Sequence, residues 1–262
     1  MTEKAKVRAK LSVECAGKSY GDVAVLDNCS FDVSPNTIVS IVGPSGCGKT
    51  TLLWSMSGLH GLTTGEVRLD STVINGPHPD IGLVFQEANL LPWRTLIDNV
   101  LFPFEIKRQK PDMGWISHLL DRTGLSGFEK HFPRELSGGM QQRAAIVRAL
   151  SLRPSVLLMD EPFGALDAFT REDLNKLVEE IWQETQTTIV FITHSIEEAL
   201  FLSDKVVVLT KRPGRVHATY DVDLPRPRTP ESMASRAVFD LTHAIKADIY
   251  GFQKSSTSRA AE

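Results

Sequence analysis

Four groups of residues have the types and spacing to do chemistry. The first is Gly43-Pro44-Ser45-Gly46-Cys47-Gly48-Lys49-Thr50, a glycine, four residues, then Gly-Lys-Thr. Glycines let the backbone curl until successive N–H groups converge on phosphate oxygens. The Lys49 ammonium is placed to reach a β- and γ-phosphate, and the Thr50 hydroxyl offers an oxygen to Mg²⁺. The second group is Asp160-Glu161, two acids closing the apolar run Val156–Met159. Paired carboxylates there are costly unless they hold a cation or a proton in transit. Asp160 suits Mg²⁺, directly or through water, and Glu161 suits orienting or deprotonating an attacking water. The third is Ser137-Gly138-Gly139, which opens a helical pattern and exposes N–H groups at its N-terminus, a second anion site. The fourth comprises Gln86 and His194, each closing an apolar run.

These groups need elements to hold them. Ile38–Val42 reads as a buried strand before the glycine-rich loop, and Thr51–Met56 as the helix after it. Ile81–Phe85, Val156–Met159 and Thr188–Thr193 read as further strands, ending at Gln86, Asp160-Glu161 and His194. Ligands of open α/β sheets bind outside the carboxyl ends of the strands. One edge would then gather a phosphate cradle, an amide, two acids and an imidazole, a set that suits phosphoanhydride hydrolysis. Val7, Ala9, Leu11, Val13 and Cys15 alternate with mostly polar residues, and Cys29, Phe31, Val33 and Val67, Leu69 repeat the pattern. An antiparallel sheet beside the loop is expected. Tyr20, in the turn after the first strand, either stacks on a base or packs on the sheet. Residues 87–150 show helical pattern broken by prolines at 92, 103, 111 and 133, the texture of a helical insertion. Ser195 and Glu198 have capping-box spacing. Lys205–Leu209 is a last strand, turned by Pro213-Gly214 into a hairpin through Val216 and Ala218.

Composition bounds the rest. The chain has 262 residues, 42% hydrophobic and 23% charged, which is ample for a core. A net charge of −3 gives no general affinity for polyanions, so no nucleic-acid partner is expected. Lys107-Arg108-Gln109-Lys110 and Arg226-Pro227-Arg228 read as solvated basic clusters. Three scattered cysteines fit a reducing compartment. Neither a leader nor an apolar run of membrane-spanning length is visible, so any transport would need another chain across the bilayer. His60, His78, His118 and His131 lack metal-ligand spacing. Residues from Ser255 on read as a frayed tail.

From about Val7 to Asp221 the chain resembles the nucleotide-binding subunits of ATP-binding-cassette (ABC) transporters. The family's motifs occur here in the family's order. Gly43–Thr50 matches its Walker A loop and Gln86 its Q-loop. Leu136–Met140 resembles its signature, Val156–Glu161 its Walker B with the catalytic glutamate, Gly164–Asp167 its D-loop, and His194 its switch histidine. The implied fold is α/β: a P-loop NTPase (RecA-like) core with an antiparallel β subdomain and a helical insertion at about 87–150. Residues 1–221 would form the cassette and 222–262 a short extension. The resemblance implies ATP and Mg²⁺ as cofactors. It assigns catalysis to Glu161, His194, Gln86 and Lys49, and metal contacts to Thr50, Gln86 and Asp160. Nucleotide contacts fall to Tyr20, to Gly43, Pro44, Ser45, Gly46, Cys47, Gly48, Lys49, Thr50 and Thr51, and, across a head-to-tail homodimer, to Ser137, Gly138, Gly139 and Asp167. Met140 departs from the usual Gln of the signature, with Gln141 adjacent.

Two further stretches, Gln86–Thr95 and Arg212–Val216, resemble the importers of nitrate, taurine and aliphatic sulfonates. The implied partners are a transmembrane permease and, indirectly, an extracytoplasmic solute-binding protein, with the subunit peripheral on the cytoplasmic face of the membrane. An exporter, a cell-division complex or a non-transport cassette is the alternative. Leu90, Leu91 and Trp93 either pack under the insertion or line a groove for a permease helix.

Overall fold

A computed structural model describes residues 8–164 and 166–257. The chain divides into two compact units, one containing residues up to His78 and from Thr188, the other Pro79–Thr187.

The first unit carries two sheets. One is antiparallel, in the order β2 (Val23–Val33), β1 (Leu11–Tyr20), β4 (Thr64–Leu69), β5 (Thr72–Val73). It is the expected sheet, with one difference. Leu11 and Val13 point inward, but Cys15 is exposed and Ala16 is buried instead. The register shifts between Val13 and Ala16, and Cys15 sits at φ 49°. A bulge there adds one residue and flips the alternation. Val7 lies outside the described residues. Tyr20 is the last residue of β1, paired with Val23, rather than part of the turn.

The other sheet runs β10 (Val216–Asp221), β9 (Lys205–Leu209), β3 (Ile38–Val42), β8 (Thr188–Ile192). The last three are parallel and almost wholly buried, as parallel strands covered on both faces must be. β9 and β10 form the expected antiparallel hairpin. Helices α1 (Lys49–Met56) and α6 (Ile196–Leu202) follow β3 and β8. The C-terminal residues pack onto this unit. Val238 and Ile245 of α8 (Arg236–Thr257) share a core with Ile196, Ala199, Leu200, Val206 and Val208. The short α7 (Pro230–Met233) leads into α8. α8 covers Ser255–Thr257, part of the expected frayed tail; residues 258–262 lie outside the described residues.

Arg226 and Arg228 are not solvated. Arg228 is 4% exposed, and its guanidinium donates to the carbonyls of Leu200, Phe201 and Ser203 at 2.6, 2.9 and 2.8 Å. Arg226 donates to Leu202 O at 2.5 Å and to Asp204 at 2.8 Å. The last carbonyls of a helix have no partner within it. Two arginines from the C-terminal segment supply donors at the end of α6, where a cation also favours the helix dipole.

The second unit pairs β6 (Ile81–Val84) with β7 (Val156–Asp160) in parallel. Between them the chain forms α2 (Leu96–Lys107), α3 (Met113–Arg122), a 3-10 turn at Pro133–Glu135 and α4 (Gly138–Leu150); α5 (Ala168–Thr185) follows β7. Each N-terminus is stopped by a side chain of the expected kind: Thr95, Asp112, Ser137 and Asp167 accept from an N–H three residues on. Trp115, Leu119 and Leu120 face the unit's interior, and the Trp115 indole donates to Leu150 O at 3.2 Å.

Candidate functional site

In the first unit the glycine-rich loop follows β3 and ends in α1. Gly48, at φ 104°, is the N-cap of α1 and supplies no side-chain cap. The start of α1, at the positive end of the helix dipole, therefore has no side-chain cap, which suits an anion there. A Cβ on Gly48 would fall 2.8 Å from Leu26 and 3.0 Å from Val25, so a larger residue has no room as well as the wrong φ. Lys49 is 7% exposed and its ammonium donates to Gly43 O at 3.0 Å and Pro44 O at 3.2 Å. The cation lies folded back against the glycine-rich loop. Cys47 is buried, and burial pushes its thiol above the ordinary range, with Lys49 pulling the other way.

β8 lies beside β3, with Ile192 opposite Ile41, so His194 leaves the sheet next to the loop's own strand and is exposed. Its neighbours fix the turn. The Thr193 hydroxyl donates to the Glu198 carboxylate and accepts from Ser195 N at 3.0 Å. Ser195 caps α6 by accepting from Glu198 N at 3.2 Å. The expected capping box is therefore rerouted: Glu198 receives Thr193. Tyr20 is 46% exposed, its hydroxyl 2.9 Å from Nδ1 of His60 and its ring edge-on to that imidazole.

In the second unit, Gln86 follows β6 and is exposed, and Asp160-Glu161 close the adjacent β7. The peptide before Gln86 is held by Gln142, whose amide donates to Phe85 O at 3.3 Å. Asp160 is 5% exposed. Glu161 has φ 43°, the left-handed region that costs a residue with a Cβ of order 1–3 kcal/mol. Backbone strain of this kind is concentrated at functional positions. Gly164 N and Leu166 N close the following turn onto Glu161 O and Phe163 O; Ala165 lies outside the described residues. Asp167 is the N-cap of α5, accepting from Thr170 N at 3.0 Å and from its hydroxyl at 2.7 Å. These hydrogen bonds hold its carboxyl below the usual range.

Ser137 and Gly138 are exposed at the start of α4, Gly138 with open space around it. Gly139 is different: it is buried, and a Cβ there would lie 2.7 Å from Thr170 of α5. One glycine keeps the helix end open, while the other lets two helix N-termini meet. Ser137 accepts from Met140 N at 3.2 Å, a bond that does not depend on the side chain at 140. Gln141 cannot stand in for the missing glutamine. Its amide donates to Pro133 O at 2.9 Å and Leu136 O at 3.2 Å.

The ABC transporter family model matches residues 26–164. The chain belongs to the ABC transporter family. An aliphatic sulfonates import ATP-binding protein of Bacillus cereus is 43% identical, over 82% of this chain and 85% of its own. A taurine import ATP-binding protein of Rhizobium johnstonii is 46% identical, over 82% and 83%. A dimeric bacterial ABC transporter cassette is similar in structure, at TM-score 0.72 and 33% identity over 81% of this chain and 98% of that one. A post-hydrolysis cassette bound to ADP and Pi gives 0.71 and 32%, with the same coverage. The chain is an ABC-type ATPase on the P-loop cassette fold, and no described helix is long and apolar enough to cross a membrane.

Three residues of this ABC cassette escaped the sequence reading. Arg148 of α4 donates to Ala88 O at 2.7 Å and Asn89 O at 2.8 Å, tying the segment after Gln86 to the signature helix. Burial lowers its pKa. Asn99, fully buried, accepts from Leu91 N and donates to the carbonyls of Leu91, Arg94 and Thr95. Arg228 is the third. For Arg148 and Asn99 the available signal was a polar residue at an inward helical position, which one sequence does not separate from a solvated one; Arg228, between β10 and α7, gave no periodic signal. Between the tethers, Leu90 and Leu91 are half-buried, while Trp93 is 71% exposed and so is not a core residue.

Proposed function

We propose that this cassette is the ATP-hydrolysing subunit of an importer for a small sulfonate-, taurine- or nitrate-type solute. The observation that carries the reading is its 43% and 46% identity, across most of each chain, to import subunits for aliphatic sulfonates and taurine. The exposed Trp93, on a strap tethered at both ends, supports a docking surface for a separate permease, since aromatic residues of this kind anchor interfaces. The subunit would lie at the cytoplasmic face of the membrane and work as a head-to-tail homodimer, and a solute-binding protein would act through the permease.

The residue roles follow from chemistry. Residues Gly43–Thr51 bind the triphosphate through N–H groups and the Lys49 ammonium, and Tyr20 takes the base. Mg²⁺ would neutralise charge on the β- and γ-phosphates; the hydroxyl of Thr50, the carboxylate of Asp160 and the amide oxygen of Gln86 are the hard oxygen donors such an ion prefers. Glu161 accepts a proton from the water whose oxygen bonds to the γ-phosphorus, and the bridging oxygen leaves with its electron pair toward ADP. His194 donates to the γ-phosphate. Ser137, Gly138, Gly139 and Asp167 belong to the face each protomer offers to its partner's nucleotide.

The test is co-purification with the permease, followed by an ATPase screen of sulfonates, taurine and nitrate with the cognate binding protein. Stimulation by one of these solutes supports the assignment. Co-purification with an exporter or cell-division membrane protein, or stimulation by none of the three classes, would overturn it.

A further inference from the structure

The stretch Arg212-Pro213-Gly214-Arg215-Val216 has no part in the chemistry above, yet it is stitched to the phosphate loop's surroundings. After β9 the chain ties a knot on Thr210. Its hydroxyl donates to Lys211 O at 3.0 Å and Pro213 O at 3.2 Å and accepts from Arg215 N at 3.0 Å, and its N–H donates to Arg215 O at 2.9 Å. Gly214 is then sewn to β2: its N–H donates to Val25 O at 2.8 Å, and its carbonyl accepts from Asp27 N at 2.9 Å and the Cys29 thiol at 3.2 Å. The Arg215 guanidinium pairs with Asp27.

This strap runs against the glycine-rich loop. A Cβ built on Gly214 would lie 2.2 Å from the carbonyl oxygen of Cys47 and 3.4 Å from its carbonyl carbon. The difference matches the C=O bond length of about 1.23 Å, so that carbonyl points almost straight at Gly214. In a trans peptide the N–H points opposite the C=O. The N–H of Gly48 is therefore aimed away from the strap. The loop's other end is braced as well, since a Cβ on Gly43 would lie 2.9 Å from Leu209 O.

We propose that Gly214 is a positioning residue for phosphate binding. Its bare backbone is the rear wall against which the Cys47–Gly48 peptide rests, and this wall fixes the direction of the Gly48 N–H. The strap is pinned to β2 by backbone bonds on both sides of Gly214, so a side chain there displaces the loop rather than the strap. The proposal rests on the loop being the nucleotide site and is independent of the transported solute.

Gly214→Ala must open the 2.2 Å contact to about 3.0 Å or more, which rotates the Cys47–Gly48 peptide. Losing one charge-assisted bond to phosphate costs roughly tenfold to a hundredfold in affinity. Calorimetric titration of the full chain with MgATP and with MgADP should show such a loss, similar for both because both carry the β-phosphate. Gly76→Ala, with open space around its Cβ, should keep the wild-type Kd. Thr210→Val unties the knot without a clash and should raise both Kd values several-fold. A folded Gly214→Ala chain with wild-type Kd values, even at a lower melting temperature, would overturn the proposal. If Gly214→Ala does not fold, Thr210→Val decides, and unchanged Kd values there overturn it. Failure of the wild-type chain to bind MgATP would instead overturn the nucleotide site itself.

Discussion

Replacing Arg228 by alanine tests the C-terminal latch on α6. Three carbonyls at the end of that helix, from Leu200, Phe201 and Ser203, share one buried guanidinium. Each buried carbonyl left without a donor costs about 1–3 kcal/mol. The gross loss for three lies between about 3 and 9 kcal/mol. Two effects pull it to the lower end: water can enter the vacated space, and the cost of burying the cation disappears. We take about 3 kcal/mol, which for a chain of this size lowers Tm by roughly 6–12 °C. Arg228→Lys should recover only part: the three carbonyls meet at one guanidinium nitrogen, which the shorter lysine does not reach in the same place, and the second nitrogen's bond to Val222 O is lost. Scanning calorimetry of the three proteins measures it. A fall in Tm of less than about 2 °C for Arg228→Ala would show that the latch does not hold α6 and that the argument from buried carbonyls is wrong here.

Two further outcomes follow from geometry. Trp93→Ala should leave Tm within the small range of surface substitutions, about 0.5 kcal/mol, because the side chain is 71% exposed; pull-down with the permease should weaken, and a sharp Tm loss with unchanged permease binding would refute the docking role. Asp167→Ala should lower Tm at pH 7. The folded carboxyl has a depressed pKa, so its contribution is present above the unfolded value and is lost as pH falls through the folded one. The Tm difference between wild type and variant should thus shrink in acid below the ordinary aspartate range of about 4, and a difference that grows in acid would contradict the assignment.

The parts of the candidate site that were legible in the sequence are those set by local backbone chemistry. A Gly-rich turn between a buried strand and a helix has few other uses, so residues 43–50 could be read directly. Strand-end acids and a helix cap are equally local, which made Asp160, Glu161 and Ser137 candidates, while Asp167 came only from the family resemblance. What the sequence hid depends on long-range contact. Arg226 and Arg228 look like surface charge until the carbonyls of α6, more than 20 residues away, come to meet them. Gln141 looks available until Pro133 and Leu136 take its amide. The bulge at Cys15 reverses an alternation that reads cleanly as a run of period two. Gly139 and Gly214 are bare for the sake of Thr170 and Cys47, partners that spacing along the chain does not reveal.

ATP hydrolysis in this cassette depends, on the proposed mechanism, on Glu161 as its base. The direct measurement is steady-state ATPase rate together with MgATP affinity for wild type and Glu161→Gln. Glutamine keeps the shape and the left-handed backbone position but cannot take the proton, so kcat should fall by at least about 10²-fold. Affinity should hold, because Lys49, Thr50 and Asp160 are untouched, and the ATP-bound dimer should accumulate on size-exclusion chromatography. A Glu161→Gln chain that turns over ATP at a rate near wild type would contradict the claim.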